Sequence, residues 1–258
     1  MDRITEGPKR LVAEPDSYMQ LWHWRLEGSN RAIGDALARW GADELGAHPF
    51  PSADPAITAM QRAFFRKHFP PFAERMNGVA DAHGISAGDD PFDLAALWFD
   101  VGGRVGCSAA FVPGNRTVSS HGAVLRNMDL RADLTGEVVP PSSSRLMALE
   151  FHPDTGYATL NCVVFDLVCA MDGINEKGLV VICNSHRDYN LSTSYSHEPT
   201  NRAEPGLNEL QAVRYLLGMC ADVQEAKEAL FSLRTYYVHT PCLYLLADPS
   251  GRSTVVER

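Results

Sequence analysis

Apolar residues recur at helical spacing through the first hundred positions of the chain and in short β-like runs through the rest. From Ser29 to about Leu45 the run SNRAIGDALARWGADEL puts Ile33, Leu37 and Trp40 on one face. Ahead of them stands a Ser29 or Asn30 of the type that caps helices. A second helix is expected from about Ala53 to Lys67, and the Pro70-Pro71 pair should break it before another begins near Phe72. Pro91 to Phe99 reads as one more helix. After Val101 the runs CSAAFV, AVLRNM, RLMALEF, YATLNCVVF, LVVICN, CLYLLAD and STVVE predict strands. Two helices interrupt them, Gly206 to Cys220 and Asp222 to Leu233, with Asp222 as N-cap. The pattern predicts an α+β fold, a helical N-terminal part followed by antiparallel sheet with helices packed on it. Asp248-Pro-Ser-Gly251 has the chemistry of a turn between strands, and the polar stretch Arg187 to Pro205 reads as a long loop.

Composition narrows the function. With 45% hydrophobic residues in 258, the chain fills a sizeable core rather than remaining disordered. A formal net charge of -9 offers no basic field to a polyphosphate backbone, so nucleic acid is not an expected partner. The opening MDRITEGPKRLVAEPDSYMQ lacks the apolar centre of a secretory signal, and no stretch reaches the ~20 apolar residues that span a bilayer. A soluble, cytoplasmic protein without membrane partners is the expectation.

The six cysteines, Cys107, Cys162, Cys169, Cys183, Cys220 and Cys242, form no CxxC pair and no Cys/His cluster of metal-ligand spacing. Neither a metal nor another cofactor is implied. Most lie among apolar neighbours, as buried cysteines do. Cys107 differs, because it follows VGGRVG at the point where the helical texture gives way to the β texture. One reading of VGGRVGC is a flexible turn leading into a strand. The other is a self-processing junction: the thiol of Cys107 attacks the Gly106 carbonyl, the resulting thioester hydrolyses, and Cys107 becomes an N-terminal residue. Its α-amine, with a reference pKa of ~7.7 to 8.0, could then accept the thiol proton near neutral pH. Nucleophile and base would share one residue.

The next residues add to the second reading. GCSAAFVPGNRTVSSHGAVLRNMDL from Gly106 resembles the start of the mature chain in the choloylglycine hydrolase and isopenicillin N acyltransferase family of N-terminal-nucleophile (Ntn) hydrolases. There a Cys opens one strand and Arg-Asn-x-Asp closes the next, here Arg126-Asn127-Met128-Asp129. DGINEKGLVVICN from Asp172 to Asn184 is similar to the family's Asn-Glu-Lys-Gly-Leu segment, and LYLLADPSGRSTVVE from Leu243 to Glu257 to its hairpin ending Val-Val-Glu. LEGSNRAIGDALARW resembles the leader helix of the acyltransferase branch. That branch has a long leader that stays attached as a small subunit, which residues 1–106 match, with residues 107–258 as the catalytic region.

The resemblance implies a four-layer αββα Ntn sandwich and autocatalytic cleavage between Gly106 and Cys107. It implies attack by Cys107 on the linear amide C–N bond of a small N-acylated compound, the acyl group passing to water or to an amine. An acyl-CoA or amine acceptor and self-association are left open. By position, Cys107 matches the nucleophile, Arg126 the cation beside it, and Asp129 the carboxylate that holds the α-amine. Asn184 matches an oxyanion donor, though Ser185 or a backbone N–H could serve instead. Asn175 reads as a turn residue, and His121 and His186 as surface or turn residues. Phe111, Tyr189, Tyr195 and Tyr236 either line an acyl pocket or fill the core. In the family a second oxyanion asparagine and a further arginine follow the Val-Val-Glu run. The sequence ends at Glu257-Arg258, so that C-terminal part is expected to be missing. The alternatives are an uncleaved, inactive Ntn-fold binding or assembly protein and a papain-like protease; the latter lacks its expected Cys neighbourhood.

Overall fold

A computed structural model of the protein describes residues 3–4, 7–11, 20–52, 54–86, 88, 92–99, 106–129, 146–164, 166–185, 205–237 and 241–257. The elements run β1 (Arg3–Ile4), β2 (Lys9–Arg10), β3 (Leu21–Gly28), α1 (Asn30–Leu45), β4 (Phe50–Pro51), α2 (Pro55–His68), α3 (Pro70–His83) and β5 (Phe92–Asp93). After Gly106 come β6 (Gly106–Val112), β7 (Ala123–Asp129), β8 (Leu146–Pro153), β9 (Thr159–Val163), β10 (Asp172–Asn175) and β11 (Val180–Ser185). Helices α4 (Glu209–Met219) and α5 (Val223–Ser232) and strands β12 (Cys242–Ala247) and β13 (Ser253–Glu257) follow.

Local chemistry accounts for the helix ends. Ser29 caps α1 by accepting from the Ala32 N–H, and Asp222 caps α5 through the N–H groups of Gln224 and Glu225. Asn208 and Gln211 form a reciprocal capping box at α4. Helix α3 begins at Pro70 itself rather than near Phe72. A proline in the first turn gives up only an N–H that has no helical partner there, so the pair starts a helix as readily as it ends one.

The fold is α+β. Among the described residues, nine strands form one sheet in the order β1-β3-β8-β9-β10-β11-β12-β13, with β2 also on β3. Its pairings are antiparallel except β3 with β8, which run parallel over their full length, Leu21 opposite Leu146 to Gly28 opposite Pro153. The segment before Gly106 is therefore not only helical; it supplies three strands of the main sheet. The helix expected over Pro91 to Phe99 is absent. Phe92–Asp93 pairs with β4, and Leu94 to Leu97 run buried in irregular backbone. Side-chain acceptors hold that run in place, Asp93 taking the Ala95 N–H and Asp166 the Leu97 N–H.

Trp24 and Leu26 of β3, Leu149 and Phe151 of β8, and Phe65, Phe72 and Leu217 of the helices are buried in one core on the helical side of the sheet. Helices α1 and α3 approach so closely that a Cβ on Gly34 would fall on the carbonyl oxygen of Arg75, and one on Gly78 on that of Arg31. The other face of β3 and β8 is half-exposed and polar, carrying His23, Arg25, Glu150 and His152. Strands β6 and β7 form a separate two-stranded ribbon that lies against β11. Helices, main sheet and ribbon are thus three layers among the described residues, and the loop read over Arg187 to Pro205 lies outside them except for Pro205. No helix there is long and apolar enough to cross a membrane, and no cluster of described side chains could hold a metal ion.

Candidate active site

The ribbon register sets the geometry around Cys107. Gly106 pairs with Asp129, Cys107 with Met128 and Ala109 with Arg126. Alternation then puts Cys107 and Arg126 on one face, on a diagonal that a long side chain can span. Arg126 Nη2 donates to Cys107 Sγ at 3.2 Å. The same guanidinium donates from Nε to Asp172 Oδ2 at 2.7 Å and from Nη1 to Asn184 Oδ1 at 3.0 Å. It also reaches the carbonyl oxygens of Asn127, at 2.8 Å, and Cys183, at 3.3 Å.

The main sheet presents those partners. A Cβ on Gly173 would collide with Leu217 of α4, so that side of β10 faces the helices. Its neighbour Asp172 faces the other way, with Ile182, its partner on β11, and with Asn184 two residues on. Asp172 and Asn184 thus meet Arg126 where the ribbon crosses β11. Asp172 Oδ1 accepts the Cys183 N–H at 3.2 Å, which fixes the carboxylate from behind. Burial pushes the Asp172 carboxyl above the usual carboxylate range, and Arg126 opposes that rise. Burial works against the charge on Arg126 as well, but Asp172, with Cys107 beside it, holds the guanidinium above its ordinary value.

Asp129 stands on the opposite face of the ribbon from Arg126. Its Oδ1 accepts from Asn127 Nδ2 at 2.7 Å, and a Cβ on Gly106 would come within 2.8 Å of its Oδ2. Glycine at 106 is explained by that close approach rather than by a left-handed backbone, since Gly106 is not among the residues with positive φ. The Asp129 carboxylate lies beside the Gly106–Cys107 junction from one face while Arg126 reaches the thiol from the other.

A family model described as linear amide C-N hydrolases, choloylglycine hydrolase family, matches residues 114–258, more than half of the chain. The protein belongs to the choloylglycine hydrolase family. The matched stretch takes in Arg126, Asp129, Asp172 and Asn184 and begins past Cys107. A variant of the conjugated bile acid hydrolase from Clostridium perfringens is 26% identical over 40% of this chain and 33% of its own, with a TM-score of 0.30. A penicillin V acylase from Agrobacterium tumefaciens is 25% identical over 40% of this chain and 30% of its own, with a TM-score of 0.31. The overlap therefore spans about a third of those solved chains, and the family assignment rests on the sequence match. No curated protein matches.

Within this member of the choloylglycine hydrolase family the cysteines divide by environment. Burial, with Asp172 nearby, pushes the Cys162 thiol up to about 12, and burial beside Glu225 does the same for Cys220. Cys169 and Cys183 are also driven well above the ordinary thiol value, Cys169 chiefly by burial and Cys183 by its hydrogen bond with Cys242 and by burial. Cys107 is half-buried at the ribbon, and none of the six cysteines is in a disulfide.

Other sequence expectations fall as follows. Asn175 is a turn residue, Gly178 turning the β10–β11 hairpin at φ 82. It is more than that: its Nδ2 donates to the carbonyl oxygens of Leu217 and Cys220, and its Oδ1 accepts the N–H groups of Lys177 and Leu179. His121 is exposed in the turn between β6 and β7, away from the guanidinium cluster. Phe111 and Tyr236 are half-buried, and Ser185 is half-buried at the end of β11. His186, Tyr189, Tyr195 and Arg258 lie outside the described residues. Sequence reasoning missed Asp172. It opens the DGINEKG segment, but its role depends on an arginine 46 residues away, which no local pattern shows.

Proposed function

We propose that the protein is a self-activating cysteine amidase that cleaves linear C–N amide bonds of small N-acylated compounds. The observation that carries this reading is the 3.2 Å contact of Arg126 with Cys107 Sγ, made by a guanidinium that Asp172 holds in place. A guanidinium so placed offers a hydrogen bond and a positive charge to the sulfur that attacks the carbonyl in this reading.

In the activating step Cys107 Sγ attacks the Gly106 carbonyl carbon, the peptide bond passes to a thioester, and water releases Gly106 as a carboxylate and Cys107 with a free α-amine. Asp129, whose carboxylate lies beside that junction, would hold the new ammonium. With substrate, the neutral α-amine takes the thiol proton and the sulfur attacks the amide carbonyl. Because Asn184 Oδ1 is committed to Arg126, its Nδ2 is the group left to donate to the oxyanion. Such a donor contributes ~3 to 4 kcal/mol to lowering the barrier. The α-ammonium returns its proton to the leaving amine, and water or a second amine takes the acyl group from the thioester. Residues 1–106 would remain bound as a small subunit through the pairing of β3 with β8. The named activities of the two solved relatives, on conjugated bile acid and penicillin V, suggest substrates in which an acyl group is joined to a small amine.

The test is the intact mass of the wild type beside Cys107→Ala, followed by a panel of N-acyl amides that includes a conjugated bile acid and penicillin V. Two pieces that meet at Gly106–Cys107 in the wild type only, with amine release dependent on Cys107, is the expected result. A single uncut chain in both, with no amine released, would replace the amidase by a non-catalytic binding protein of the same fold.

A further inference from the structure

The outer face of the ribbon carries a contact that the proposed mechanism does not use. Strand β7 exposes Ala123, Leu125, Asn127 and Asp129 and turns Val124, Arg126 and Met128 inward. Asn127 and Asp129, two residues apart, therefore stand side by side on one face. Asn127 Nδ2 donates to Asp129 Oδ1 at 2.7 Å, a length in the range of charge-assisted bonds. Chemistry sets the orientation of that amide: a carboxylate only accepts, so the NH₂ end of Asn127 faces it. The other carboxylate oxygen, Oδ2, lies over Gly106, 2.8 Å from where a Cβ on that residue would be.

Asn127 touches both sides of the junction. Its backbone carbonyl accepts from Arg126 Nη1 at 2.8 Å, on the guanidinium that reaches Cys107 Sγ. Its side chain holds the carboxylate on the opposite face. An exposed aspartate on a strand has several staggered rotamers open to it, with water to bond in each. Holding Oδ1 selects one of them, and it is the one that keeps Oδ2 at Gly106. Among the described residues Asn127 is the one side chain that donates to that carboxylate.

We propose that Asn127 is a positioning residue: its side-chain amide aims the Asp129 carboxylate at the Gly106–Cys107 junction and, once that bond is cut, at the Cys107 α-amine. This rests on the amidase reading of the site. The charges around the amine are then Asp129 from the outer face and, from the inner face, Arg126 backed by Asp172 of β10. Substitution of Asn127 changes only the first of these, because its contact with Arg126 belongs to the backbone carbonyl. A held carboxylate beside an ammonium favours the charged form. Letting it swing away lowers the pH at which the amine becomes a free base and loses the aim of its lone pair at the thiol.

The test compares intact mass and the pH dependence of amide hydrolysis for the wild type, Asn127→Ala, Asn127→Val, Asp129→Asn and the double variant that joins Asn127→Ala to Asp129→Asn. Valine is included because it suits a strand and has no donor. Both Asn127 variants should move the limb of kcat/KM that the amine sets near neutral pH to lower pH. Both should also lower the plateau about tenfold, the effect of losing one hydrogen bond to a charged group. Adding Asn127→Ala to Asp129→Asn should change nothing further, since the amide then has no carboxylate to aim. A limb left at its wild-type pH in both Asn127 variants, or effects that add in the double variant, would overturn the proposal while leaving a working amidase. An uncut wild type that releases no amine is a separate outcome, which removes the amidase reading and the proposal with it.

Discussion

Arg126 and Asp172 face each other at 2.7 Å across the gap between a two-stranded ribbon and the main sheet, and this contact decides where the arginine's other nitrogens go. With Nε held, the planar guanidinium has one rotation left to choose, and it points Nη2 at Cys107 and Nη1 at Asn184. Asp172 is thus a positioning residue for the proposed nucleophile.

Replacing it should have a pH signature. Burial raises the Asp172 carboxyl above its ordinary value of 3.8, so it protonates at a higher pH than an exposed aspartate and then releases Arg126. Amidase kcat/KM should fall as pH drops through that raised value, and Asp172→Asn should lose this acid limb together with about 10²-fold of kcat/KM. Stability should move the other way. A carboxyl whose folded-state pKa is raised contributes stability that is fully present below its unfolded value and is lost as pH rises through the folded one. Parallel pH profiles of activity and unfolding test both signs.

Thiol labelling should discriminate among the cysteines. Cys162 and Cys220, pushed up to about 12, hold almost no thiolate at pH 8. Iodoacetamide added to the native protein should modify Cys107 well before either, as read by peptide mass. Arg126→Met should slow the Cys107 reaction while leaving the others slow. Labelling of Cys162 at a rate equal to Cys107 would contradict this.

The crossing of α1 and α3 should tolerate no added carbon. Gly34→Ala puts a methyl on the Arg75 carbonyl oxygen and Gly78→Ala puts one on that of Arg31. Neither obstacle is a flexible side-chain tip, so the helices must separate. Each substitution should cost about 1–3 kcal/mol or more, measured as denaturant midpoint. Gly46→Ala, at an open position with φ 66, tests the opposite cause, since its cost is backbone strain without collision.

Cleavage, where it occurs, should not separate the pieces. All eight residues of β3 pair with β8, and β1 and β2 pair with β3 in turn. A cut protein should elute as one species on native size exclusion and resolve into two only after denaturation.

Much of this was legible in the chain because local signals agree. Ser29 ahead of Ile33 and Leu37 gives α1, and Asp222 gives α5. AVLRNMD alternates cleanly enough to fix which side chains share a face of the ribbon. Strand β3 was hidden in plain view. Trp22, Trp24 and Leu26 alternate with His23, Arg25 and Glu27, but the segment adjoins a helix-rich stretch and its partner β8 lies far along the chain. The run LAALWF is short and apolar, so spacing alone could not tell helix from the irregular buried path that Asp93 and Asp166 stabilise. Of the site, Cys107, Arg126 and Asp129 sit within one hairpin and are readable as a motif. Asp172 acts only through the packing of two separate sheets.

The parallel pairing of β3 with β8 also bears on how the molecule comes to be built. Non-local parallel strands are slow to find each other, because the intervening chain must first be ordered. A polypeptide synthesised from Cys107 onward would have a β8 edge with a bare row of amide and carbonyl groups, the kind of edge that recruits other chains. The leading segment covers that edge through β3, and refolding yield should fall when it is supplied late or omitted.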